Sequence, residues 1–256
     1  MEILVQIKKE IFKGYNGVDL IGKMDLPTNG DTFGIILFAH CFTCNKNYKI
    51  IKYLSQTLVS AGFSCFRFDF TGLGESAGEF KDSNFSSNVD DLISAAEFLA
   101  QKYEPPMFLI GHSLGGAAIL HASRKITSIK ALVTIASPSN LDHLKNILIK
   151  KLAQNSDKQE GIVTIGGRDF FISEDFMFNL EKTNMQDVIK NLSKPILVCH
   201  SPQDRVIDIS NAEQIFHLAN YPKSFISLDK TDHLLNNQDD AKKIGKIIGS
   251  WLQQYI

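Results

Sequence analysis

Residues 107–120 read Met107-Phe108-Leu109-Ile110-Gly111-His112-Ser113-Leu114-Gly115-Gly116-Ala117-Ala118-Ile119-Leu120. A short apolar run, a serine between glycines and a strong helix former follow one another directly. This is G-x-S-x-G at a strand-to-helix turn, the setting in which a serine hydroxyl stands exposed on a sharp, strained bend. Side chains at positions 111 and 115 would collide with neighbouring backbone, so glycine is needed at both. The turn also sets the Leu114 N–H at a helix N-terminus, where a free donor and the positive dipole end can meet an oxyanion. Ser113 is the candidate nucleophile.

Working outward, short continuous apolar runs recur at 33–39, 63–68, 131–136, 196–200 and 224–228. Runs of that kind predict strands buried on both faces. Ile50, Ile51, Leu54 and Leu58 recur at helical spacing, with Gly62 where a helix end takes a left-handed residue. Val89, Leu92, Ile93, Ala96 and Leu99 form a second such stripe, and Ala241, Ile244, Ile248, Trp251 and Leu252 a third. The first 26 residues read as a hairpin around Gly14-Tyr15-Asn16-Gly17. The predicted fold class is α/β: a mostly parallel, eight-stranded sheet with helices on both faces and an N-terminal hairpin.

The alternation is interrupted between about 138 and 192. A helical stretch (141–152) and a polar patch (154–160) precede Ile162-Val163-Thr164-Ile165 and Phe170-Phe171-Ile172, which flank Gly166-Gly167-Arg168-Asp169 and predict a second hairpin. An insertion of this size over a sheet's carboxyl edge predicts a cap. The 256 residues are therefore expected to form one domain, 1–256, with that cap inside it.

Lys and Arg number 27 against 28 Asp and Glu, a net charge of -1. This lacks the basic footprint of a nucleic-acid binder. No apolar run approaches the roughly 20 residues that span a bilayer, and the N-terminus mixes charge into its apolar pattern, unlike a secretory signal. A cytoplasmic location is expected. No metal or cofactor is expected either, and the oligomeric state is not legible.

A serine hydroxyl needs a base, and the base needs a carboxylate to orient it. On a sheet of this kind the chain order is serine, acid, histidine. His233 follows the last strand and precedes the last helix. Asp204 lies in the loop after Ile196–His200, with Asp208 as the competing acid, better suited to cap the helix near Ser210. His112, His121, His143, His200 and His217 suit packing or surface roles better than that of the base.

Cys41, Cys44, Cys65 and Cys199 in a chain without a secretory signal read as reduced thiols. Cys41-Phe42-Thr43-Cys44 is a C-x-x-C after a strand, which admits a redox reading. A metal site from His40, Cys41 and Cys44 would need a fourth ligand from Cys199 or His200. Neither thiol opens a helix, so the leading expectation is two small side chains shaping the loop. Asp69, in Phe68-Asp69-Phe70-Thr71-Gly72-Leu73-Gly74, is expected to hold its loop beside the serine turn through backbone hydrogen bonds.

With these residues assigned, the chain resembles an α/β-hydrolase. His40-Cys41-Phe42-Thr43-Cys44 is similar to the H-G-x-x-G loop of serine esterases with cysteine at both glycine positions. That similarity implies the Phe42 N–H as second oxyanion donor beside Leu114, and implies that Cys41 takes up the backbone geometry of a glycine. Together with 67–76, Asn84-Phe85-Ser86-Ser87-Asn88-Val89, Ile165-Gly166-Gly167-Arg168 and Lys223-Ser224-Phe225, the loop resembles the hydrolase half of α/β-hydrolase/OsmC fusion proteins over nearly the whole chain. The resemblance implies esterase activity through Ser113, Asp204 and His233. The fusions' peroxidase activity is not expected, because the OsmC half is absent from this sequence.

The expected substrate is a small ester with a short acyl chain. Phe42 and His112 near the serine, and Phe171 and Phe176 of the cap, are the expected contacts, although the cap aromatics would serve equally as its own core. Thioester hydrolysis or acyl transfer would use the same triad, and a non-hydrolytic redox or binding role through Cys41 and Cys44 is the rival from another class.

Overall fold

The computed structural model describes residues 5–28, 30–154, 161–165 and 167–256. The chain opens on the antiparallel hairpin β1 (Val5–Lys13) and β2 (Asp19–Pro27). Gly17 closes its turn with φ +79°, donating to Gly14 O at 2.9 Å. Then come β3 (Ile35–Ala39), α1 (Lys49–Ser60), β4 (Ser64–Phe68), α2 (Phe85–Lys102), β5 (Phe108–His112), α3 (Leu114–Ala122) and β6 (Ala131–Ile135). An insertion follows: α4 (Asp142–Gln154), the hairpin β7 (Ile162–Ile165) and β8 (Arg168–Phe171), α5 (Glu174–Lys182) and α6 (Met185–Lys190). The chain finishes with β9 (Ile196–His200), α7 (Ser210–Leu218), β10 (Lys223–Ser227) and α8 (Gln238–Leu252).

Eight strands form one sheet in the order β1-β2-β4-β3-β5-β6-β9-β10, parallel from β4 to β10, with β2 antiparallel to both its neighbours. Every residue of β3, β4, β5, β6 and β9 is buried. Their unbroken apolar character follows from having helices on both faces. One face packs α1 and α8 through Ile50, Leu54 and Leu58 against Ile244, Ile248 and Leu252. The other packs α2, α3 and α7 through Leu92, Leu99, Ala118 and Ile215. Asn84 caps α2 by accepting from Ser87 N–H at 2.9 Å while Ser87 Oγ accepts from Asn84 N–H at 2.8 Å, two orphan donors satisfied reciprocally.

The chain leaves β3 toward β4 on one side and returns to β5 on the other. The loops after β3 and β5 therefore diverge at the carboxyl edge, leaving the crevice where open α/β sheets hold ligands. The insertion packs beside this edge, with Phe176 5.5 Å from Phe42 and Phe170 5.1 Å from Phe80 between ring centroids. Asn84 Nδ2 donates to Asp175 Oδ2 at 2.6 Å and Ser86 N–H to Asn179 Oδ1 at 2.9 Å, which tie α5 to the start of α2.

The cap hairpin forms as expected, with β8 beginning at Arg168, but Gly166 and residues 155–160 lie outside the described residues. Helices α5 and α6 were not legible as separate elements. They are short, at nine and six residues, and start on Ser173 and Asn184, each accepting from the backbone three residues on.

Candidate active site

β5 delivers the chain into Ser113 at φ +55° and ψ -125°, a region costly for any residue with a β-carbon. Ser113 N–H donates to Ile135 O at 2.9 Å, and Gly116 N–H to Ser113 O at 2.8 Å, which pins the turn from both sides. A Cβ on Gly115 would stand 2.3 Å from Ala39 O, and one on Gly111 would stand 2.4 Å from Gly115 O. The glycines are there because backbone passes too close for a side chain.

Ser113 Oγ lies 3.1 Å from His233 Nε2, and His233 Nδ1 lies 2.8 Å from Asp204 Oδ2. Oδ1 of Asp204 accepts from the N–H groups of Val206 and Ile207 at 2.8 and 2.9 Å. Burial raises the Asp204 carboxyl, but the nearby His200 ring and hydrogen bonds from His233 and Ile207 outweigh it and hold the group well below the usual carboxylate range. An ionised Asp204 accepts the Nδ1 proton, leaving Nε2 free to receive the serine hydroxyl. Asp208 instead is exposed and accepts from Ser210 N–H at 2.9 Å, a local turn contact just ahead of α7, whose N-cap is Ile209. Asp229 and Asp232 bond to Ser227 and Asn236, away from the imidazole.

The loops carrying Asp204 and His233 are stitched together. Ser201 Oγ donates to Thr231 O at 2.6 Å and Lys230 N–H to Gln203 Oε1 at 2.8 Å.

Phe42 and Leu114 line one narrow recess beside His40, Cys41 and Gly115, of about 10 Å³. That is roughly the space of a single water. Among the described residues neither the Phe42 nor the Leu114 N–H donates a hydrogen bond.

The loop that carries Phe42 is held at both ends. His40 Nδ1–H donates to Cys41 O at 2.9 Å, and its Nε2 accepts from Phe70 N–H at 3.4 Å. Burial lowers the His40 pKa, consistent with that neutral tautomer. At the far end Lys46, fully buried, meets Asp69 at 2.5 Å through Nζ and 2.6 Å through its N–H. Asp69 also accepts from Glu75 N–H at 2.8 Å. Arg67 extends the network, donating to Lys46 O at 2.9 Å and pairing with Asp25 at 2.6 and 3.1 Å.

Three expectations about the serine turn and its neighbouring loop are corrected. Cys41 and Cys44 are joined by a disulfide, not reduced, and Cys44 is partly exposed; Cys65 and Cys199 are buried free thiols. The positive φ of this loop, +60°, falls on Thr43 rather than Cys41. His112 is not a substrate contact: it is fully buried, and its Nε2–H donates to His233 O at 2.8 Å.

The cap aromatics divide by face. Phe176 is buried, its ring 5.5 Å from that of Phe42 and 6.0 Å from Phe80, while Phe170 meets Phe80 at 5.1 Å. Strand alternation turns Phe171 outward, where it is 42% exposed against Gly161. Phe170, not Phe171, faces the sheet.

Lys46 and His200 were missed as parts of the site. His200 Nε2–H donates to Ile207 O at 2.8 Å and lies 3.5 Å from Asp204 Oδ2. Lys46 sits between Asn45 and Asn47, a polar run that reads as solvated surface. Only the distant Asp69 reveals it.

The sheet, the elbow and the hydrogen-bonded serine, histidine and aspartate define an α/β-hydrolase. The chain belongs to the family described as serine aminopeptidase, S33, whose model matches residues 30–158. The esterase domain of a Rhodothermus marinus protein is 41% identical over 98% of this chain and 99% of that one, with a TM-score of 0.80. The ferulic-acid-bound Est1E of Butyrivibrio proteoclasticus shares the fold at 18% identity, covering 96% and 99% of the two chains with a TM-score of 0.80. The human mitochondrial palmitoyl-protein thioesterase ABHD10 is 22% identical over 213 residues, 77% of this chain and 67% of that protein. No described helix is long and apolar enough to cross a membrane.

Proposed function

We propose that this chain is a serine carboxylesterase that cleaves small, short-acyl esters through an acyl-enzyme on Ser113. The observation that carries the reading is the continuous path Ser113 Oγ–His233–Asp204, at 3.1 and 2.8 Å, ending beside two unpaired N–H groups. Ser113 Oγ attacks the ester carbonyl carbon while His233 Nε2 takes its proton. Asp204 holds the Nδ1 proton and stabilises the imidazolium. The oxyanion accepts from Phe42 and Leu114 N–H, and each such donor is worth about 10² to 10³ in rate. As the tetrahedral intermediate collapses, His233 returns the proton to the departing alcohol. Water, deprotonated by the same histidine, then releases the acid.

The short-acyl preference is supported by the ring contacts of Phe42 with Phe80 and Phe176, which fill space beside the Phe42 turn. Thioesters are the second reading, since the resemblance to a palmitoyl-protein thioesterase extends over 77% of the chain. A panel of p-nitrophenyl esters and matched acyl thioesters of graded length tests both. Ser113→Ala is expected to lower kcat by on the order of 10⁶. Retention of most turnover by that variant would falsify the assignment.

A further inference from the structure

We propose that the Cys41–Cys44 disulfide is a redox site through which a small dithiol or dithiol protein sets the activity of the serine centre. This rests on the esterase reading above and adds regulation to it. The segment 41–44 runs between two fixed points, His40 and Lys46, and Phe42, the donor, is its second residue. Among the described residues the backbone hydrogen bonding inside 41–44 comes to one turn bond, Cys44 N–H to Cys41 O at 3.2 Å, and the disulfide closes the same turn. Thr43, inside the bridge, holds φ +60° without being glycine, a conformation disfavoured by a β-carbon. With the bridge open, Thr43 is free to leave that region, and the Phe42 N–H turns with it.

The sulfurs are unequal in access. Cys41 is buried and Cys44 is partly exposed, so an incoming thiolate reaches Cys44 Sγ. Attack there forms a mixed disulfide and breaks the Cys41–Cys44 bond. Cys41 Sγ departs as thiolate and takes a proton from water. The second thiol of the reductant attacks the mixed disulfide and releases Cys44. Two electrons pass from the dithiol, which ends as a disulfide, to the protein, which ends with two thiols. Cys65 and Cys199 are fully buried, and desolvation raises both thiols, Cys199 to about 12, so exchange is confined to the bridge.

The test compares the full chain oxidised with diamide and reduced with dithiothreitol, then freed of reagent. The denatured protein should present two alkylatable thiols in the first state and four in the second. Reduction should lower kcat on p-nitrophenyl acetate, and the rate of fluorophosphonate labelling at Ser113, by about 10²-fold, the worth of one oxyanion donor. KM should move much less, and diamide should restore the rate. Cys44→Ser should sit at the reduced value and ignore dithiothreitol. Equal rates in two states whose thiol counts differ would overturn the switch and leave the esterase reading standing. So would a native bridge that dithiothreitol fails to open. Absence of labelling in both states would remove the esterase reading, and the regulation with it.

Discussion

His112 Nε2 lies 2.8 Å from the backbone oxygen of His233, so the residue immediately before the proposed nucleophile holds the loop that carries the proposed base. Nucleophile and base come from segments 120 residues apart, and their 3.1 Å separation depends on that strut. Burial pushes the His112 imidazole down to about 3, so it donates as a neutral ring.

Replacing it by leucine keeps the volume and leaves His233 O buried without a donor. An unsatisfied buried carbonyl costs about 1–3 kcal/mol. His112→Leu should lose that much stability in urea unfolding and roughly tenfold in kcat, with KM and the shape of the pH profile preserved. A variant with wild-type kcat would show the strut to be dispensable.

Lys46 and Asp69 form a fully buried ion pair. Removing one member of such a pair leaves an uncompensated charge, at a cost of about 3–5 kcal/mol. Lys46→Met should therefore be strongly destabilised. Adding Asp69→Asn to it should recover part of the loss, because no charge is left buried, although the single amide oxygen can accept from only one of the two backbone N–H groups, Lys46 and Glu75, that Asp69 serves. Additivity of the two single effects would contradict this coupling.

Asp91 accepts from Thr71 N–H and Oγ1 at 2.9 and 2.8 Å, yet burial raises its carboxyl to about 6. The folded chain then keeps a proton that the unfolded chain has lost, so folding takes up a proton between about pH 4 and 6. Stability falls as pH rises through that window, by at most about 3 kcal/mol, and the penalty is complete above it. Asp91→Asn should flatten Tm across the window and raise it at pH 7.5. Asp204, held low, acts in the opposite sense: its contribution is present above about pH 4 and lost in more acid solution.

Gly115→Ala drives a β-carbon into the backbone oxygens of Ala39 and His40, at 2.3 and 2.5 Å. The turn cannot shift without moving Ser113, so a loss above about 3 kcal/mol and of nearly all activity is expected. Gly17→Asn is the control: φ is +79° but nothing lies within 4 Å, so the cost should stay near 1 kcal/mol. Similar Tm values for the two variants would contradict the steric argument.

The sheet was legible because its central strands are buried on both faces and show as continuous apolar runs. The residues of the proposed triad were legible because each stands at a strand's carboxyl end in a fixed order. Lys46 was not, because its partner is 23 residues away and its neighbours are polar. The bridge was not, since compartment arguments about cysteine ignore two sulfurs held on one tight loop at a sequence separation of 3. His112 reads as a substrate contact because sequence adjacency to Ser113 says nothing of which way β5 turns its side chain. Phe171 misleads likewise: a four-residue strand has too little alternation to show which face meets the sheet.

Ser113 at φ +55° gives the fold a site where stability and reactivity select opposite residues. Glycine reaches that backbone region at no steric cost, and mutations that relax a strained reactive position commonly gain stability at the expense of function. A library of this chain screened only for survival on heating should return Ser113→Gly, while one screened only for ester turnover should never lose the hydroxyl. The residue at 113 would report which pressure a population has been under.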